Sequence, residues 1–353
     1  MVINTTPIHL DGVAAVISDK IISVEEYCEG IASPKKLHKL IATTGFESLS
    51  IADVDVCCSD MCFQAAEHLF NEGGFDRDSI DALIFVTQSP DHLVPATAYI
   101  LQDRLHLKSD LLAFNIDLGC SGFVYGLYVA ASMLSSADVR RVMLCCGDIS
   151  NRIKKPKTTE RGVIFGDAGA CAIVSRDNAE VKTTFAIHSY GDRWQALYSE
   201  RFGCRYESNI AAGKYESDEN GQPPKRRSYM DGMGIMDFTL NEVVENINGL
   251  LAAANVDRND IGAYLFHQPQ KLLVDDLAKA LNLNPESVIA NAQHIGNTSS
   301  ASIPLLLTEI GAAWSERSNK KVLMSGFGVG LSVASCIMDL DDLTVLKTKH
   351  YQR

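Results

Sequence analysis

The chain repeats itself. FDRDSIDALIFVTQ at residues 75–88 parallels VDRNDIGAYLFHQ at 256–268: Asp76 matches Asp257, Ile80 matches Ile261 and Phe85 matches Phe266, an offset of 181. LGCSG at 118–122 matches IGNTS at 295–299, with Gly119 against Gly296, an offset of 177. RRVMLCCG at 140–147 matches KKVLMSGF at 320–327, with Val142 against Val322, an offset of 180. Three blocks recurring in order at nearly one spacing, about half of the 353 residues, point to two homologous halves, 1–175 and 176–353. Each half reads as the same alternation. A helix (about 55–73, then 237–255) leads to a buried strand (82–87, then 262–267), a helix (95–106, then 270–281) and a strand (111–117, then 287–291). A glycine-containing turn then opens an apolar helix (121–135, then 298–313), and a strand follows (141–146, then 321–325). Strands that are apolar on both faces and alternate with helices mean α/β layers. The stretch 186–236 breaks the pattern. It is polar, contains Pro223-Pro224 and SDENGQ, and reads as long loops covering something.

Composition removes several classes of function. A formal charge of −12 and an isoelectric point near 5.2 argue against a protein built to grip nucleic acid. No apolar run approaches the roughly 18 residues of a membrane span. The first twenty residues have no basic start, and Asp11 interrupts their apolar stretch, so no signal peptide is read and a cytoplasmic, reduced protein is expected. Ten cysteines occur without a C-x-x-C pair. Cys57, Cys62 and His68 invite a metal reading, but lacking a paired motif they read better as residues of a buried helix, and no metal is expected.

The useful information lies where the two copies differ. Cys120 stands where the second copy has Asn297, each just after a glycine and at the start of a helix. A cysteine there meets unpaired N–H groups and the positive end of the helix dipole, which favour thiolate over thiol. Gly119, Ser121 and Gly122 allow a sharp turn and close approach of a substrate. His267 follows the apolar run AYLF, at the carboxyl end of a strand, where α/β proteins place ligands. Each residue alone has an ordinary structural reading. Together, at equivalent element ends of a pseudo-twofold protein, a thiol, an imidazole and a carboxamide form a covalent-catalysis constellation.

DLGCSGF, LFHQPQ, HIGNTSSASIP and GFGVG resemble, in order and spacing, the Cys, His, Asn and glycine-rich signatures of β-ketoacyl-acyl carrier protein synthase III, in the thiolase superfamily; RGVIFGDAGACAIV at 161–174 is similar as well. The resemblance covers nearly the whole chain. It implies a five-layer α-β-α-β-α thiolase fold, a homodimer and a decarboxylating Claisen condensation. Cys120 would take an acyl group from a thioester primer. His267 and Asn297 would hydrogen-bond the oxygen of a malonyl thioester as CO₂ leaves. The N–H groups of Cys120 and of Gly328 or Val329 would hold the acyl oxyanion, and Phe327 would wall the malonyl pocket. No tightly bound cofactor is implied; the substrates are phosphopantetheine thioesters of coenzyme A or acyl carrier protein.

Some positions depart from the family pattern. A tryptophan and arginines that in the family clamp the coenzyme A nucleotide are replaced in KKLHKLIATTGFESLS by Lys39, Thr43 and Glu47, which puts coenzyme A delivery of the primer in doubt and opens delivery by a carrier protein; Arg161 could still meet a phosphate. Lys271, and Lys225, Arg226 and Arg227 in the long loop, are candidates for docking the acidic carrier. Val94 lies near a position whose aromatic limits primer length in short-chain members, so a smaller residue there implies a longer or branched primer. A hydroxymethylglutaryl-CoA synthase would need a glutamate where Gln88 stands. A specialised-metabolite condensing enzyme stays open. A non-catalytic partner subunit would typically have lost the cysteine or its partners, and all three stand.

Overall fold

The computed structural model describes residues 1–30, 32–151, 164–176, 183–200, 203–214, 228–315 and 319–353. Two mixed sheets form the body. In the first, the strands run in the order Thr344–Val345, Ile8–Ile17, Ala168–Arg176, Arg141–Asp148, Ala82–Val86, Leu112–Ile116, with Lys349–His350 also pairing Ile8–Ile17. In the second the order is Val2–Asn4, Thr184–Ser189, Ser332–Asp339, Lys321–Gly328, Ala263–Phe266. The duplication is visible in the pairing. Ala82–Val86 runs parallel to Arg141–Asp148 as Ala263–Phe266 does to Lys321–Gly328, and the opening strand of each half pairs antiparallel with its closing strand.

The sheets are buried on both faces, as their continuous apolar runs require. Ala82 to Val86 are fully buried, and so are Ala263, Leu265 and Phe266. Helices Cys58–Asn71 and Thr97–Arg104 cover the outer face of the first sheet, and Val244–Ala254 and Lys271–Ala280 cover that of the second. Between the sheets lie Gly122–Met133 and Ser302–Ser315, the two apolar helices, contributing Phe123, Leu127, Leu305 and Leu306 to a core shared by both sheets. A helix apolar all round is stable only where both sides are covered. Five layers, α-β-α-β-α, result.

The structure amends the sequence reading in three places. The halves exchange ends: Val2–Asn4 joins the second sheet, and Thr344–Val345 with Lys349–His350 joins the first. The strand expected at 287–291 shrinks to one bridge, Tyr264 to Val288, because the 3₁₀ turns Pro285–Ser287 and Ala292–His294 close in on both sides. Much of 186–236 is ordered structure rather than loop. It supplies the sheet strand Thr184–Ser189, the 3₁₀ turn Gly191–Ala196, a hairpin of Leu197–Ser199 with Ser228–Met230, and helices Arg205–Ala211 and Gly232–Phe238. Elements this short carry too little periodicity to register. Pro223-Pro224, SDENGQ, Lys225, Arg226 and Arg227 lie outside the described residues. Cys58 and Cys62 are buried against the first sheet, whereas Cys57 caps the helix start and His68 pairs with Glu72 (2.9 Å), so Cys57, Cys62 and His68 face different neighbours.

Candidate active site

Cys120 sits in the turn between the strand Leu112–Ile116 and the buried helix Gly122–Met133. The turn closes through the Gly122 N–H donating to the Gly119 carbonyl (2.7 Å). Two glycines make it possible. A β-carbon on Gly119 would lie 2.4 Å from Gln88 Oε1, and one on Gly328 would lie 2.9 Å from both Cβ and Sγ of Cys120. Gly328 also has φ +147°, a backbone that side chains resist. The GFGVG loop therefore approaches the sulfur with bare main chain. Ser121 Oγ and Ser332 Oγ, 2.8 Å apart, tie the two turns together.

His267 ends the strand Ala263–Phe266, its N–H donating to Ser325 O (2.8 Å). The ring is 1% exposed and meets the buried Phe327 edge-on at 5.9 Å. Nδ1 lies 2.8 Å from Ser302 Oγ, while Nε2 is buried with no hydrogen-bond partner among the described residues. Burial lowers its pKa to about 3, so the imidazole is neutral at physiological pH.

Asn297 is held by main chain. Its N–H donates to Ile164 O (2.7 Å), and its carbonyl accepts from Gly166 N (2.8 Å). Its Oδ1 accepts from Ser299 N (2.9 Å), which fixes the carboxamide with the NH₂ end on the other side. The 164–166 segment is anchored in turn by Asp167, whose carboxylate accepts from the N–H of Ala52 (3.0 Å) and of Asn151 (3.1 Å). Asp148 does similar work for the first half, accepting from Gln88 N (2.7 Å), Thr87 Oγ1 (3.0 Å) and Ser89 Oγ (3.1 Å). Burial pushes both carboxyls up to about 6. Asp148, Asp167, Ser299 and Ser302 escaped the sequence reading. The only signal for the two aspartates was their place at an apolar strand's end, in CCGD and FGDAG.

The other expected residues fall as follows. Phe327 is buried and Val329 half-buried in the loop over Cys120. Val94 is 86% exposed, carried out over the surface of this chain by the loop between strand and helix. Lys271 is exposed and ion-paired with Asp275 one turn on. Arg161 lies outside the described residues. The helix Pro34–Thr44 exposes Lys35, Lys36 and Lys39, contains no acidic residue, and packs its terminal Gly45 against the Lys271 side chain. A hollow of about 630 Å³, lined by Asp192, Trp194, Tyr198, Tyr229, Asp231 and Leu331 among others, contains none of Cys120, His267 and Asn297.

Known proteins carry the same architecture. The family model described as 3-oxoacyl-(acyl-carrier-protein) synthase III matches residues 114–191, and the model of its C-terminal part matches 251–340. The chain is 30% identical over 341 residues to a 3-oxoacyl-(acyl-carrier-protein) synthase 3 of Campylobacter jejuni, covering 95% of this chain and 94% of that one. It is 29% identical to the β-ketoacyl-(acyl-carrier-protein) synthase III of Rhodopirellula baltica, covering 93% and 97%. The crystal structure of a 3-oxoacyl-(acyl-carrier protein) synthase from Burkholderia xenovorans LB400 superposes with a TM-score of 0.90 at 31% identity, covering 99% of each chain. With the fold, the duplicated halves and the matched segments in agreement, the chain belongs to the 3-oxoacyl-(acyl-carrier-protein) synthase III family of thiolase-fold condensing acyltransferases.

Proposed function

We propose that this chain starts acyl chains by condensing an acyl thioester primer with a malonyl thioester through an acyl group carried on Cys120. The observation that carries this reading is the approach of the Gly328 main chain to the Cys120 sulfur, close enough that a β-carbon on that glycine would lie 2.9 Å from Sγ. The thiol attacks the primer at the start of a twelve-residue helix, whose N–H groups favour the thiolate. The N–H groups of Cys120 and of Gly328 or Val329 stabilise the oxyanion, a preorganised arrangement typically worth ~10²–10³-fold per donor. The amide of Asn297, oriented by Ser299, stabilises charge on the malonyl thioester oxygen as CO₂ departs, and His267 serves the same step.

Both substrates are phosphopantetheine thioesters, and the primer arrives on an acyl carrier protein. The exposed Lys35, Lys36 and Lys39, with Lys271 at the helix end, support docking of an acidic partner better than they support a nucleotide clamp. The active form is a homodimer acting in the cytoplasm. The strand Leu112–Ile116 lies at the edge of its sheet, and Leu93, Val94, Tyr99 and Leu112 are exposed near it, the kind of apolar edge that a second copy covers. In that dimer Val94 would reach the acyl pocket of the neighbouring subunit. Among the described residues no helix is long and apolar enough to cross a membrane. The test is mass spectrometry of the protein after exposure to acyl-carrier and acyl-CoA thioesters. An acyl mass shift mapped to Cys120, absent in Cys120→Ser, is expected; a shift on another residue would refute the assignment.

A further inference from the structure

Asn297 belongs to the second half by sequence, yet its loop is held by the first. On one side the Asn297 main chain donates to Ile164 O (2.7 Å) and accepts from Gly166 N (2.8 Å). On the other, Glu47 N donates to Gln293 O (2.7 Å), Ser48 Oγ to His294 O (2.8 Å) and Ser50 N to Ile295 O (3.1 Å). The fit is close: a β-carbon on Gly166 would lie 1.8 Å from Ile295 O. Two first-half segments, 47–52 and 164–167, therefore form the two sides of a cradle in which residues 293–297 lie.

One buried carboxylate joins the two sides. Asp167 Oδ2 accepts from Ala52 N (3.0 Å), at the end of the first segment, while Oδ1 accepts from Asn151 N (3.1 Å) and Asn151 Nδ2 (3.3 Å). Asn151 Nδ2 also donates to Phe165 O (2.7 Å), and Asn151 Oδ1 accepts from the Tyr27 hydroxyl (3.1 Å). The seam is reinforced by Asp167 N donating to Ser50 O (2.8 Å) and Ser50 Oγ donating to Asp167 O (2.6 Å). Burial raises the Asp167 pKa only to about 6, so the group is an anion at neutral pH. A carboxylate presents acceptors on both oxygens, as these N–H groups require, whereas a carboxamide presents one acceptor and one donor. None of these bonds involves the Cys120 turn, which is tied through Ser121 Oγ to Ser332 Oγ instead.

We propose that Asp167 is a positioning residue for Asn297: by joining segments 47–52 and 164–167 it sets the width of the cradle and so the aim of the Asn297 carboxamide. The inference rests on the reading of Asn297 as a donor in the step that expels CO₂. Asp167 is fully buried, so it reaches no substrate itself and acts through the loop. A donor works on developing charge only while its supporting groups hold it within roughly 0.5 Å of the productive geometry. The consequence is selective. The malonyl step depends on Asp167, and acylation of Cys120, whose turn is anchored elsewhere, does not. Asp167→Asn keeps the shape of the side chain but sets an NH₂ against the N–H of Ala52 or those of Asn151, which opens the seam on one side without emptying the core.

The test compares full-length Asp167→Asn, Asn297→Ala and the double variant with wild type. Three quantities are read: single-turnover acylation of Cys120, CO₂ release from a malonyl thioester, and amide hydrogen exchange across residues 292–301. Asp167→Asn should acylate Cys120 within about threefold of wild type and lose at least about tenfold in CO₂ release, up to the ~10²–10³-fold expected for removing the amide outright. Its Asn297 and Ser299 amides should exchange faster. The double variant should release CO₂ no more slowly than Asn297→Ala alone, because Asp167 acts only through that side chain. Tyr27→Phe keeps the carboxylate and loosens only Asn151; it should slow CO₂ release about 2–5-fold, the size of one neutral hydrogen bond, and decides the matter should Asp167→Asn not fold. Unchanged CO₂ release, equal slowing of both half-reactions, additive losses in the double variant, or unchanged exchange would overturn the proposal. If wild type expels no CO₂ from any malonyl thioester, the reading of the site fails instead, and the exchange comparison alone decides whether Asp167 holds the loop.

Discussion

Replacing Asn297 by alanine separates the two half-reactions. The loop that carries it should survive, because the bonds to Ile164 O and from Gly166 N are made by the main chain and remain. What goes is the carboxamide. The Ser299 N–H loses its 2.9 Å acceptor and is left buried, which costs stability roughly 1–3 kcal/mol, less than the usual margin of about 5–15 kcal/mol. Catalysis should lose more, and selectively. On the proposed function the Asn297 NH₂ acts only in the step that expels CO₂, so decarboxylative condensation should fall ~10²–10³-fold, about 2.7–4 kcal/mol. Acylation depends on Cys120 and main-chain donors and should stay within a few-fold of wild type. Single-turnover adduct formation followed by mass spectrometry reports the first step, and CO₂ release from a malonyl thioester reports the second. Equal slowing of both, with the circular dichroism spectrum intact, would mean that Asn297 holds the site together and takes no part in the malonyl chemistry.

Gly328→Ala places a methyl 2.9 Å from the Cys120 sulfur on a backbone at φ +147°, so adduct formation should drop by more than about tenfold and stability by roughly 1–3 kcal/mol; an unimpaired acylation rate would show that the loop does not crowd the thiol. Reversing charge at Lys35, Lys36 and Lys39 together should slow acylation from an acyl-carrier thioester several-fold and steepen no salt dependence with acyl-CoA; equal effects on both donors would remove the carrier from that helix. Burial holds His267 near 3 against an ordinary value of about 6.5, so the unfolded chain binds a proton there that the folded chain refuses, and stability is lost as pH falls between those values. His267→Gln should therefore lose less of its urea midpoint than wild type between about pH 7 and pH 4.5, and an identical loss would place the imidazole outside the buried, neutral state.

Much of this protein is written locally. Apolar runs such as ALIFV and AYLF announce strands covered on both faces, and FVYGLYVAASM announces a helix with no polar side, because burial selects composition residue by residue. The repeat multiplied that signal: Cys120 and Asn297 stand out because each occupies the other's place in the duplicate. Partners far apart in the chain left no such trace. That Val2–Asn4 crosses to the second sheet and Lys349–His350 to the first depends on pairing across at least 180 and more than 330 residues, where no periodicity reaches. Val94 reads as a residue that sets primer length, and only the path of its loop puts it at the surface of this chain. The same holds for Ser302, one serine among several in NTSSAS, whose meaning comes from a ring placed 2.8 Å away by another strand. Side-chain type and spacing determine which elements form, whereas the neighbours of the His267 ring, Ser302 and Phe327, are decided only when packing brings three chain segments to one point.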